Sequence, residues 1–337
     1  MSAPLRVGVL GTGRIGRMHA ELIARRVPGL ALAGVHDASA SSARETAAAL
    51  GVTAAGSAEE LLASPTVDAI AICTSTGTHV DLLVAAAASG KPIFCEKPLS
   101  LDLTEADRGL AAAERAGAFL QVGFNRRFDP AHSSVRDAVA SGAIGETRLV
   151  RISSRDPEPP PLAYVRASGG IFLDMTIHDF DMARYVTGSE VEEVYAQGEV
   201  RIDPALGAEG DLDTVVVTLR HADGTLTVID NSRQCAYGFD QRVEAFGSRG
   251  MATSGNPPVH TGAVCTADGT HAPALPHFFV ERYLASYLAQ WSAFAEAVRA
   301  GGPSPVSGAD GRAPLAIGLA AGRSAREARP VRMAEIG

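Results

Sequence analysis

The stretch that most constrains this chain is Gly11-Thr12-Gly13-Arg14-Ile15-Gly16, which follows the apolar run Leu5–Leu10 and opens a helical segment, Arg14–Arg26. In that setting the three glycines do different things. The first permits a tight turn, the second lets backbone approach a pyrophosphate, and the third lets helix and strand pack closely. The phosphates of a dinucleotide then lie against the unpaired N–H groups and the positive end of the helix. Such spacing is weak evidence alone and gains weight at the first strand–helix junction of an alternating region. The alternation is present. Leu30–His36, Asp68–Thr74, Pro92–Cys95 and Phe119–Val122 read as buried strands, separated by helices over Ser39–Leu50, Thr78–Ala88 and Leu103–Ala116. Strands separated by helices of this length specify a parallel, doubly wound sheet with right-handed crossovers.

From about Thr147 the strands succeed one another directly: Arg148–Ser154, Val191–Val200, Thr214–Arg220, Thr225–Asn231 and Arg242–Phe246. Their alternation predicts a mostly antiparallel sheet with one face covered. Helices are expected over Ile171–Tyr185, Tyr283–Ala300 and Gly308–Glu327, an extended Pro-rich loop over Asp156–Leu162, and an acidic loop over Asp203–Asp213. The expected organisation is a Rossmann-type α/β domain over residues 1–122, followed by a substrate-binding and oligomerisation α+β domain with a large, open-faced sheet over 123–310. A C-terminal helix and tail, 311–337, pack back on the body.

Composition narrows the function. The chain has 337 residues, room for two cores, and 30 Lys+Arg against 38 Asp+Glu, a net charge of −8 that argues against a broad nucleic-acid footprint. Its apolar runs break far short of a membrane span, and only Met1–Pro4 precede the first strand, so a cytoplasmic protein without a secretory signal is expected. Cys73, Cys95, Cys235 and Cys265 are scattered, which predicts buried free thiols and no metal site. One bias is more pointed: of the 30 basic residues only Lys91 and Lys97 are lysine. A surface cation can be either residue, but a compact amine that changes protonation cannot be replaced by a guanidinium. Lys91 sits in a plain Ser-Gly-Lys-Pro turn, so Lys97 draws the stronger suspicion.

Asp37 ends the second strand, where an acidic side chain accepts hydrogen bonds from the adenosine ribose and repels a 2′-phosphate; NAD is favoured over NADP. Capping of the next helix is a compatible second role. Thr74 and Ser75 end the third strand at the sheet's carboxyl edge, and His79 just beyond is either a structural histidine or a cofactor contact. Glu96-Lys97-Pro98 ends another strand at the same edge, where the ammonium is placed to hydrogen-bond a substrate oxygen. In Gly169–Asp181, Asp174 and His178 are four apart on a helix, so the carboxylate can hold the imidazole while its other nitrogen takes a hydroxyl proton. Asp179 and Asp181 are left to cap or to pair with Arg184. Asp-x-x-x-His also suits two metal ligands, but no third ligand of suitable spacing accompanies it. A base, a cofactor cradle and orienting groups together indicate a nicotinamide-dependent alcohol oxidoreductase.

Glu96-Lys97-Pro98, Gly123-Phe124-Asn125-Arg126-Arg127-Phe128 and Asp174–His178, with Gly11–Gly16, resemble the glucose–fructose oxidoreductase/inositol dehydrogenase (Gfo/Idh/MocA) family along nearly the whole chain. Ser154-Arg155-Asp156-Pro157, Gly169–Asp181 and Tyr237–Arg242 resemble its inositol 2-dehydrogenases more narrowly. The resemblance implies oxidation of a ring hydroxyl of myo-inositol to the 2-keto inosose with NAD. It implies that His178 is the general base oriented by Asp174, and that Lys97 polarises the reacting oxygen. Arg127, Asp156 and Tyr237 would bind the remaining hydroxyls, Tyr283 would close the pocket, and Asn125 would touch the nicotinamide amide. It also implies a homo-oligomer, a tetramer, built on the open sheet faces. Another cyclitol or sugar substrate, or a non-catalytic sensor, are the alternatives.

Overall fold

In the computed structural model, residues 3–337 are described, and the chain divides into two units: 1–124 with 287–315, and 125–286 with 316–337. The consecutive division expected from sequence is corrected here. Residues 287–310 belong with the first unit, because two long C-terminal helices each pass from one unit into the other. Gly308 and Gly311 let the start of the second of these helices approach the first unit's core. A Cβ at either would come within 2.5 Å of Leu110 or 2.6 Å of Leu99.

The first unit contains β1 (Leu5–Leu10), α1 (Arg14–Arg25), β2 (Leu30–His36), α2 (Ala40–Leu50), β3 (Thr53–Ala54), α3 (Ala58–Ala63), β4 (Ala69–Ile72), α4 (His79–Ala88), β5 (Ile93–Cys95), α5 (Leu103–Arg115) and β6 (Leu120–Val122). Its six-stranded parallel sheet runs β3-β2-β1-β4-β5-β6. β4, β5 and β6 are buried throughout, as parallel strands covered on both faces must be. β3 and α3 are too short to carry a periodic signal and were not expected. This order gathers the ends of β1, β2, β4 and β5 at one carboxyl edge, where open α/β sheets bind ligands.

The second unit continues with α6 (Pro130–Ala140), β7 (Thr147–Arg155), α7 (Leu162–Ser168), α8 (Gly170–Asp174), α9 (Ile177–Thr187), β8 (Val191–Glu199), α10 (Pro204–Ala208), β9 (Thr214–His221), β10 (Leu226–Ser232), β11 (Asp240–Gly247), β12 (Met251–Ser254) and the hairpin β13 (Val264–Thr266) and β14 (Gly269–His271). The crossing helices are α11 (Phe279–Ala300) and α12 (Gly308–Glu327), and β15 (Val331–Arg332) closes the chain. Seven strands run β12-β11-β7-β10-β9-β8-β15, antiparallel at every step except β7–β10. One face carries Val150, Ile152, Val215, Val217, Leu219, Ile229 and Val243 into a core with Phe180, Met182 and Ile317. On the other face Val216, Leu226 and Phe246 are exposed.

Three expectations are corrected here. Ile171–Tyr185 is two helices, not one, because the backbone N–H groups of Met175 and Thr176 and the Thr176 hydroxyl all donate to Ile171 O, which ends the regular ladder. The loop Asp203–Asp213 contains the short helix α10, with Asp203 capping its N-terminus and Pro204 in the first turn. Of the cysteines, Cys73, Cys95 and Cys235 are buried but Cys265, on the hairpin, is exposed. No helix among the described residues is long and apolar enough to cross a membrane.

Candidate functional site

The glycine loop has the shape its sequence demands. Gly11 adopts φ +95°, and a Cβ there would lie 2.5 Å from Cys73 O; at Gly16 it would lie 2.0 Å from Gly11 O. Gly13, the N-cap of α1, has open space beside it, no capping side chain and no acidic residue in the turn that follows. The exposed first-turn backbone N–H groups, with Arg14 and Ile15, thus form a cradle that fits a dinucleotide pyrophosphate. Asp37 Oδ2 accepts the Thr12 N–H at 2.6 Å and Oδ1 the Ser39 N–H at 2.8 Å. Desolvation lifts this carboxyl, but those two donors outweigh it and hold it below the ordinary range. Each oxygen keeps a lone pair for a ribose hydroxyl, so Asp37 ties the loop to α2 and fits the cofactor together. The fit is to NAD.

At the ends of β4 and β5 a second cluster forms. The Thr78 hydroxyl donates to Thr74 Oγ1 at 2.7 Å and to Ser75 O at 2.9 Å, fixing the turn before α4. His79 is buried, with Nδ1 2.8 Å from Pro98 O and Nε2 3.0 Å from Thr74 O. Burial pushes the imidazole down while both carbonyls pull it up. It therefore staples the Lys97–Pro98 turn to the end of β4, and the Lys97–Pro98 peptide is cis. Within residues 93–100, Lys97 alone is not buried. Its backbone N–H donates to Glu96 Oε2 at 3.1 Å, and Glu96 Oε1 lies 2.8 Å from His19 Nε2. The Trp291 indole N–H, which can only donate, reaches His19 Nδ1 at 2.9 Å; this places the ring proton on Nε2, toward Glu96. Gly123 leaves room for that carboxylate, since a Cβ there would come within 2.9 Å of it. Glu96, placed by the sequence at the carboxyl edge where the cofactor is expected, thus finds partners inside the unit. Lys91 serves the fold instead. Its Nζ donates to Ser64 O at 3.0 Å and Val67 O at 2.7 Å, a bridge suited to a compact ammonium.

In the second unit, Asp174 and His178 flank the break between α8 and α9 instead of sharing one helix, which corrects the expected i,i+4 geometry. They are the only residues of 171–183 that are not buried. The Tyr164 hydroxyl donates to Asp174 Oδ1 at 2.8 Å, and Arg233 Nη1 lies 3.3 Å from Oδ2. Arg126 donates to Asp179 at 2.7 Å and to the Ser154 hydroxyl at 3.0 Å, while Asn231 donates to Asp179 Oδ2 at 2.8 Å. Burial raises the Asp179 carboxyl against the pull of Arg126. Asp181 pairs with Arg127 through Nε and Nη2, not with Arg184, whose guanidinium meets Glu190 at 2.6 Å. Asp156 is pushed up to about 6 by desolvation of its carboxyl and then by the charge of Asp174.

The remaining expected contacts divide. Tyr237 is 53% exposed; its hydroxyl donates to Asp240 at 2.8 Å and accepts from Arg155 at 2.9 Å. Tyr283 is no surface lid. It is 2% exposed at the kink of α11, bonded to His132 at 3.1 Å and contacted by the guanidiniums of Arg126 and Arg282, and burial pushes its phenol up to about 12. Asn125 is buried and donates to Ser286 Oγ at 3.4 Å. Sequence reasoning does not find His19, Trp291, Arg233 or Asp211; the only signal it offers is a single tryptophan in the whole chain.

Residues 5–124 match the oxidoreductase family, NAD-binding Rossmann fold, and residues 132–253 the GFO/IDH/MocA C-terminal domain. The myo-inositol 2-dehydrogenase of Thermotoga maritima is 46% identical over 98% of this chain and 99% of its own length. A crystal structure of a myo-inositol dehydrogenase from Corynebacterium glutamicum shares 40% identity over 98% of both chains with a TM-score of 0.93. The Lactobacillus casei scyllo-inositol dehydrogenase, solved with NAD(H) and scyllo-inositol, is 28% identical with a TM-score of 0.92 over 98% of this chain and 99% of that one.

Proposed function

Because this chain belongs to the GFO/IDH/MocA family of NAD-dependent oxidoreductases, we propose that it oxidises the 2-hydroxyl of myo-inositol to the 2-keto inosose. The observation that carries the reading is a shared exposure pattern. Lys97, Asp174 and His178 are the residues left accessible in segments that are otherwise buried, and they are an amine, a carboxylate and an imidazole. Burying a neutral polyol beside such groups supplies directional hydrogen bonds without a fixed counter-charge.

In this reading His178 takes the hydroxyl proton as the carbonyl forms, and Asp174 holds the imidazole and balances the imidazolium. Lys97 donates to the reacting oxygen and stabilises its developing negative charge. NAD, when bound, supplies the acceptor for the hydride leaving the carbinol carbon. Asp156 and Tyr237 bind further ring hydroxyls. Arg127 and Tyr283, each held by partners within the second unit, contribute to the polyol site, and Asn125 orients the nicotinamide amide. Assembly is through the outward sheet face bearing Val216, Leu226 and Phe246, as a homotetramer.

The test is NADH formation with myo-inositol, scyllo-inositol, glucose and xylose compared at equal NAD. The highest kcat/KM is expected with myo-inositol. Faster turnover of an aldose, or none of any cyclitol, overturns the proposal.

A further inference from the structure

Arg233 follows β10 with a side chain that is 0% exposed, and its two terminal nitrogens diverge: Nη2 lies 3.0 Å from Asp211 Oδ2 and Nη1 3.3 Å from Asp174 Oδ2. Burying a guanidinium in this way is costly unless the charge is met. One bidentate carboxylate would meet it, yet the fork is split between two. The split has a geometric consequence. Asp211 Oδ1 accepts the Ile171 N–H at 2.8 Å, and a Cβ at Gly170, which adopts φ +77°, would lie 2.7 Å from that same oxygen. Asp211 therefore grips the start of α8 and Arg233 grips its last residue, Asp174. A helix of five residues has no stability of its own to hold its final side chain. The Arg233–Asp211 pair closes the clamp, and the Arg233 backbone N–H, bonded to Asp213 O at 2.8 Å, anchors it to the sheet.

We infer that Arg233, braced by Asp211, is a positioning residue for the reaction: it sets the orientation of Asp174, the carboxylate that serves His178. The inference rests on the roles proposed above for Asp174 and His178. The charged and titratable groups around this clamp are Asp156, which opens the Pro-rich loop, Asp211 before β9, Tyr164 on α7, Asp179 on α9, and Arg126; His178 follows at the start of α9. Removing a cation from among them raises the pKa of every neighbour; removing an anion lowers it.

The experiment follows kcat and kcat/KM for myo-inositol against pH in R233Q, R233K, D211N and H178Q, with NAD binding and thermal unfolding measured alongside. R233Q is expected to lose on the order of 10-fold to 100-fold in kcat, with the acidic limb of its profile moved up by about 1 pH unit and NAD affinity kept. R233K keeps the charge but loses the fork, so it recovers part of the rate and leaves the limb in place. D211N moves the limb the other way, to lower pH, and still reports if R233Q fails to fold. A limb that stays at the wild-type position in both R233Q and D211N, or a rate loss in every variant that merely tracks unfolding, overturns the inference. If H178Q turns over normally, the proposed reaction roles fail instead; if H178Q is inactive while R233Q is unchanged, only the role of Arg233 fails.

Discussion

Lys97 and the Asp174–His178 pair are exposed in similar ways and supported in opposite ones. Lys97 stands at the end of a strand in a regular parallel sheet, and its surroundings are held by neutral or locally paired groups: the His79 staple between two carbonyls, and the His19–Glu96 pair backed by Trp291. Asp174 and His178 stand at a break between two short helices, surrounded by buried ion pairs of Arg233, Arg126 and Arg127 with carboxylates. A sheet edge inherits its rigidity from hydrogen-bonded strands and needs few charges. A helix break has orphaned backbone and must be clamped from outside, here by guanidiniums. The first region should therefore fail by loss of packing and the second by loss of charge balance.

The largest expected contrast comes from Arg126→Met, which strands Asp179 in the second unit's interior and should cost about 3–5 kcal/mol in chemical denaturation. Asp156→Asn should act in the opposite direction. Asp156 ionises at about 6 in the fold against an ordinary 3.8, so between those values the folded state retains a proton that the unfolded chain has released. Stability falls as pH rises through that window and stays lower above it. The amide removes the fall, stabilising the variant by at most about 3 kcal/mol above pH 6 and by nothing below about pH 4. An equal difference at both pH values would show that the carboxyl is not perturbed. In the first unit, His19→Ala leaves the Trp291 N–H and a Glu96 oxygen unpaired and should cost about 1–3 kcal/mol in chemical denaturation. A cost there as large as that of Arg126→Met would break the contrast between the two regions. Smallest is Asp37→Ala, expected to weaken NAD by about 10-fold and relax discrimination against NADP; unchanged cofactor preference in steady-state kinetics would remove the ribose contact.

The same contrast explains what could be read from the chain. Every strand of the parallel sheet longer than two residues was visible, because fully buried strands are short apolar runs and the Gly11–Gly16 junction declares itself locally. Lys97 was legible for a different reason: in a chain almost without lysine, the exceptions stand out. Asp174 and His178 were legible as residues but not in geometry, since nothing in their spacing reveals that the Thr176 hydroxyl and the Met175 and Thr176 N–H groups converge on one carbonyl. The supports were the least visible. His19 meets Glu96 across 77 residues and Trp291 across 272, and Arg233 meets Asp174 across 59, so each is created by topology and leaves no local pattern. Asp179 and Asp181 were visible as carboxylates, but their partners, Arg126 and Arg127, come from the segment that opens the second unit rather than from the neighbouring Arg184.

The central claim is that the amine and the imidazole serve one proton transfer coupled to hydride loss. Single-turnover NADH formation with myo-inositol in Lys97→Met, His178→Gln and the double variant tests it, with NAD binding as the control. Each single change is expected to slow the step by on the order of 10² or more with NAD still bound, and the double variant to be slower than the worse single one by no more than about 3-fold. Near-normal rates in either single variant, or losses that multiply in the double, would contradict a shared role.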